Sequence, residues 1–226
     1  MASSRNYRFT FSQWLDALWN GDWGNAETFV ADDVIVNGSS MAGHAYYIQK
    51  LKDDNFETAR LDLCIVDNER AELAARFVFP RSPEPLDEDK EWTAQTFFSL
   101  ANDDKISAVQ ALAGANKSAG RESNGQINQE TALPKRLTSL DLRKFYADYI
   151  DSINTGHFAR RFRRYRGLIE SSFEEILGLR FTIERLIVNE QTQQGAARLA
   201  FIGEPTKNFR GIAPTGNPVS FGEHAF

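Results

Sequence analysis

Apolar residues recur at helical spacing in two places along the chain. Phe11, Trp14, Leu15, Leu18 and Trp19 form one stripe, and Leu142, Phe145, Tyr146, Tyr149, Ile150 and Ile153 form another. Each pattern predicts an amphipathic helix with one broad apolar face. The stripes stop in the same manner, at Asn20-Gly21-Asp22-Trp23 and at Thr155-Gly156-His157-Phe158. A glycine there supplies the left-handed backbone that ends a helix, and the aromatic after it re-enters the core. Burying each large side chain on such a stripe contributes about 1.5 to 3 kcal/mol, so each helix needs an apolar surface to lie against.

A repeated hairpin offers that surface. Leu61 to Phe79 aligns without a gap with Ile183 to Phe201, 122 residues later. Ile65-Val66 matches Ile187-Val188, and Ala74-Ala75-Arg76 with Phe79 matches Ala196-Ala197-Arg198 with Phe201. Polar stretches, Asp67 to Arg70 in one copy and Asn189 to Gly195 in the other, separate two apolar runs. Both copies therefore read as strand, turn, strand.

Around the first hairpin the pattern predicts a short helix running into a strand over Phe29 to Val36, a helix around Tyr46 to Leu51, and two last strands, Glu91 to Leu100 and Lys105 to Leu112. The tight-turn sequence Asn102-Asp103-Asp104-Lys105 joins the last two. Pro80 to Lys90, with three prolines among acidic residues, reads as a surface loop. The stretch from Ala115 to Thr131 is rich in Asn, Gln, Ser and Gly and lacks apolar periodicity, as a solvated linker does. The expected organisation is a first domain over 1–114, a polar linker over 115–137 and a second domain over 138–226.

The element order of the first copy looks like the NTF2-like cone. The second copy carries Tyr165-Arg166-Gly167-Leu168-Ile169, then Phe209-Arg210-Gly211-Ile212-Ala213-Pro214-Thr215-Gly216-Asn217-Pro218-Val219-Ser220-Phe221, then Glu223-His224-Ala225-Phe226. On these motifs the chain resembles the SnoaL-like branch of the NTF2-like superfamily. The resemblance implies an α+β fold of two cone domains, each with helices packed on a curved antiparallel sheet and a pocket at its wide end. The second domain reads as atypical and partial. Gly21 and Tyr47 are 26 residues apart whereas Gly156 and Tyr165 are 9 apart, which removes the stretch that carries the first strand in copy one. Phe226 aligns with Phe97, so the final strand of copy one also lacks a counterpart.

The activity that the resemblance implies is metal-free acid/base chemistry on a small hydrophobic molecule, with an Asp on the final strand near a His on the strand before it. His224 matches that His, and the Asp has no equivalent. Copy one has Gln95 and about Gly114 at the aligned positions, neither able to act as a general base near neutral pH. The candidate catalytic residues are His224 and Asp62. The candidate ligand-binding residues are Trp14, Trp19, Tyr46, Tyr47, Arg76, Trp92, Gln95 and Phe97, the aromatics being equally good core material. Arg76 recurs as Arg198, which points to an ion pair with Asp62 or Glu184, or to a contact with a ligand oxygen. His44, at a helix start, reads as a surface residue.

Charge and composition narrow the partners. A net charge of -5 and a pI near 5.3 argue against a general nucleic-acid binder. The basic run Arg160, Arg161, Arg163, Arg164 and Arg166 reads as a solvated helix facing acidic neighbours, with an anionic partner as the other reading. His44, His157 and His224 are too far apart in sequence for a ligand-spaced metal motif, and neither a Walker A loop nor GxGxxG is present. No cofactor and no metal are expected. Cys64 stands alone, and no apolar run is long enough to span a bilayer, so the expectation is a soluble cytoplasmic protein without membrane contact. Two readings stay open: a small-molecule-binding protein working as a cofactor-independent cyclase, isomerase or dehydratase, and a non-catalytic binding module that forms a homodimer through sheet faces or open edges.

Overall fold

Asn6 accepts the amide of Phe9 on its side chain and opens helix α1 (Tyr7–Trp19). Gly21, at φ +69°, turns the chain out of it, and the Asp22 carboxylate caps α2 (Trp23–Thr28) through Asn25 N–H. Strand β1 (Val30–Val36) and a tight turn lead to β2 (Ser39–Ser40), followed by α3 (His44–Asp53) and a 3-10 turn over Phe56–Thr58. Four strands complete this unit: β3 (Arg60–Asp67), β4 (Glu72–Phe79), β5 (Trp92–Leu100) and β6 (Ile106–Ala115). The computed structural model describes residues 6–40, 43–80, 92–115, 141–157, 176–208 and 213–225, and the chain divides into two units, Met1–Thr131 and Ala132–Phe226.

The first unit's sheet has the order β2-β1-β6-β5-β4-β3. It is mixed rather than antiparallel throughout, because β1 runs parallel to β6. No hairpin ties these two strands: α3 and four strands, β2 to β5, intervene, the long crossover that parallel pairing requires. The core lies under α1. Trp14 packs its ring 5.6 Å from that of Phe98, and Phe11 lies 5.1 Å from the same ring. Leu73, Ala75, Phe77 and Phe98 belong to this core, so strand alternation turns Ala74, Arg76, Gln95 and Phe97 to the opposite face.

In the second unit Asp141 caps α4 (Leu142–Thr155) through Lys144 N–H, and Gly156 at φ +69° ends it. Helix α4 packs on a sheet of β7 (Ile176–Asn189), β8 (Gln194–Pro205) and β9 (Val219–Ala225), three strands in that order among the described residues. Ile150 and Ile153 meet Leu179, Leu199 and Phe201, and Phe201 stacks on Phe221 at 4.8 Å.

The hairpin repeat extends to backbone detail. Bulges fall between Leu61 and Leu63 and between Ile183 and Arg185. Asp67 accepts two turn amides and Asn189 does likewise, and Ala71 and Gln193 both adopt φ +54°. The acidic loop from residue 81 onward, the linker from residue 116, the basic run Arg160 to Arg166, the Tyr165 motif, Phe209 to Ile212 and Phe226 lie outside the described residues.

Candidate functional site

A cavity of about 800 Å³ opens in the first unit between the C-terminal half of α3 and the helix-facing side of β5 and β6. Its sheet wall carries Ala94, Thr96, Phe98, Val109 and Ala111, none of them titratable. The titratable side chains of the wall, among the described residues, come instead from α3 and its C-cap: Tyr47, Lys50 and Asp54. Spacings of three and seven place them on one helix face.

Lys50 Nζ lies 3.0 Å from Asp54 Oδ2, both side chains being half exposed at the rim. Tyr47 is buried. Burial first, and then the Asp54 charge, push its phenol well above the usual range, so the hydroxyl remains a hydrogen-bond donor at any physiological pH. Asn37 lines the wall in the left-handed conformation, and its Oδ1 accepts Ala111 N–H at 2.8 Å, which leaves the amide nitrogen as its other polar group. The wall is thus largely apolar toward the sheet, with Thr96 and the Trp92 indole among its polar groups, and carries its titratable side chains toward α3.

The residues singled out from sequence separate into three places. Tyr47 and Trp92 line the cavity. Trp14 is fully buried in the core behind it, whereas Trp19 and Tyr46 are 37% and 55% exposed and stand outside it. Arg76, Gln95, Phe97 and Asp62 are not among its lining residues. Arg76 donates from Nε to Asp62 Oδ2 at 2.6 Å, with Gln95 directly across the sheet from Arg76. The sequence reading passed over Lys50, Asp54 and Asn37. The signal for the first two was their spacing from Tyr47 on a helix face.

His44 bridges α2 and β1, with Nε2 3.1 Å from Glu27 Oε1 and Nδ1 3.0 Å from Asp32 Oδ1, the second contact lacking hydrogen-bond alignment. In the other unit His224 is buried, and Arg198 Nη1 lies 2.9 Å from its Nε2. Arg198 in turn donates from Nε to Glu184 Oε2 at 2.6 Å. Glu223 faces the opposite way, toward α4. It sits across from Leu199 in the core, and the Tyr146 phenol is raised by burial, then by Tyr149 and by the Glu223 charge. The described residues contain no cluster of three or more His, Cys, Asp or Glu placed to hold a metal ion, and no helix long and apolar enough to cross a membrane.

Residues 140–226 match the family described as SnoaL-like polyketide cyclase. The match takes in α4, the second hairpin and β9 with His224. Among solved structures, a SnoaL-like polyketide cyclase from Agrobacterium tumefaciens is similar at 20% identity and TM-score 0.41, covering 49% of this chain and 92% of that one. A putative polyketide cyclase from Pseudomonas putida is similar at 18% identity and TM-score 0.37, covering 48% and 91%. A Mycobacterium tuberculosis protein in complex with estradiol-17beta-hemisuccinate is similar at 13% identity and TM-score 0.37, covering 46% and 89%. Comparison with proteins of curated function gives no match.

Proposed function

We propose that this chain is a tandem SnoaL-like protein, with domains over 1–114 and 138–226, that binds a small hydrophobic metabolite in the cavity of its first domain. The observation that carries the reading is the cavity's division of labour. Mostly apolar sheet residues supply contact area, and the buried Tyr47 on the lining keeps its hydroxyl as a donor for an acceptor oxygen. A molecule with a largely apolar skeleton and one carbonyl or ether oxygen fits this wall. The test is thermal stabilisation of the full chain by a matched set: an apolar polycyclic ketone and the hydrocarbon of the same skeleton. The ketone should stabilise more, and Tyr47→Phe should weaken it about fivefold while leaving the hydrocarbon unchanged. Equal response to both ligands in the native chain would overturn the role of Tyr47, and no response to either would overturn the binding reading.

A second reading, acid/base chemistry as a cyclase, isomerase or dehydratase, is favoured by the Asp54 carboxylate sharing the wall with Tyr47. Proton exchange at the carbon next to the ketone, followed by NMR in heavy water, tests it. Exchange that disappears with Asp54→Asn supports catalysis; no exchange above the protein-free rate leaves a binding protein.

A further inference from the structure

We propose that His224, the histidine of the EHxF motif, is not a proton-transferring residue but the fixed acceptor of an arginine strut, a place that glutamine can fill. The guanidinium carries only donors, so the imidazole nitrogen it approaches at 2.9 Å must be the one without a proton. Nε2 therefore accepts from Arg198, and the ring's proton sits on Nδ1. A general base needs its lone pair free for the substrate, and this lone pair is occupied by a permanent cation. Taking up a proton would set an imidazolium against that guanidinium.

Three further observations describe a strut rather than a site. First, His224 is 5% exposed and Arg198 is anchored on its other side by Glu184 at 2.6 Å, so the row is carboxylate, arginine, acceptor. Second, His224 lies on the sheet face away from α4, in register with Arg198, while the neighbouring Glu223 takes the α4 side. Third, the guanidinium lies along β9 beside Gly222, where a Cβ would meet Arg198 Nη2 at 3.5 Å, an ordinary packing distance. The first unit builds the same row. Asp62 accepts from Arg76 at 2.6 Å, and the residue in register with Arg76 is Gln95. Asp62 and Arg76 precede Glu184 and Arg198 by the same 122 residues that relate the two hairpins. The histidine thus occupies a place that a glutamine occupies in the sister unit, and glutamine is no base.

The test uses the full chain with nitrogen-15-labelled histidine. In the native protein the His224 ring should show an unprotonated Nε2 and a protonated Nδ1, and Arg198→Met should abolish that bias. His224→Gln should melt within about 2 °C of the native chain, whereas His224→Leu, which cannot accept, should melt about 4 to 8 °C lower. A proton on Nε2 in the native chain, or a His224→Gln variant that melts as low as His224→Leu, would overturn the proposal. Neither readout involves the cavity ligand, so the result stands apart from the fate of the binding reading.

Discussion

Asp67 and Asn189 close their hairpin turns in the same way, each accepting two backbone amides on one side-chain oxygen. Asp67 Oδ1 takes the amides of Glu69 and Arg70 at 3.2 and 3.1 Å, and Asn189 Oδ1 takes those of Gln191 and Thr192 at 3.0 and 3.1 Å. An amide oxygen and a carboxylate oxygen are interchangeable in this role. Asp67→Asn should therefore stay within about 0.5 kcal/mol of the native chain, and Asp67→Ala should lose about 1 to 2 kcal/mol, read by urea unfolding.

Gly203 is required by close approach. A Cβ there would fall 2.4 Å from Ile176 Cγ2 and 3.1 Å from the Leu179 backbone. The side chain can shift and the backbone cannot follow as easily, so Gly203→Ala should destabilise the second unit by about 1 to 3 kcal/mol. Gly24→Ala, which meets nothing within 4 Å, is the control and should be neutral or better.

Trp14 supports the cavity from behind rather than lining it, packing on both Phe98 and Phe56, which do line it. Trp14→Ala should cost about 3 to 5 kcal/mol in stability. Trp14→Phe should cost less, because it retains the ring and removes an indole Nε1 that has no hydrogen-bond partner. Chemical unfolding of the two variants checks the order.

Tyr47 makes the first unit sensitive to alkali. Its folded phenol is raised above the unfolded value, so below about pH 10 both states hold the proton and the contribution is complete. Above that, the unfolded chain releases its proton while the folded one keeps it, and stability falls as pH rises. The melting temperature should drop between about pH 10 and 11. Tyr47→Phe should flatten that drop, and a slope unchanged by the variant would remove Tyr47 as its source. Tyr146, raised in the same direction by burial, should contribute a parallel loss in the second unit.

The helices, their glycine stops and the hairpin repeat were all legible, because each leaves a local mark in the order of residues. Trp14, Leu15 and Leu18 share a face by spacing alone, and Ile65-Val66 and Ile187-Val188 repeat in plain sequence. The sorting of β5 between its two faces was not legible. Thr93, Gln95 and Ser99 mark one side of the strand as polar, but Phe97 interrupts that side and is as buried as its neighbour Phe98, so the alternation does not say which side faces the helices. Gln95 and Arg76 read from sequence as polar groups near a pocket mouth, and the pleat turns them to the face away from the cavity. The parallel seating of β1 on β6 was hidden for another reason: a non-local partner leaves no periodic trace.

That seating has a consequence for biosynthesis. Val30 pairs with Ile106, so β1 leaves the ribosome long before the strand that completes it. At about 5 to 20 residues per second the delay is on the order of ten seconds. Throughout it, the apolar Val30, Val34 and Val36 have only the two-residue β2 beside them and the nearby helices to cover them. The nascent first unit therefore carries an unpaired edge by geometry, and that interval closes when β6 pairs with the waiting strand.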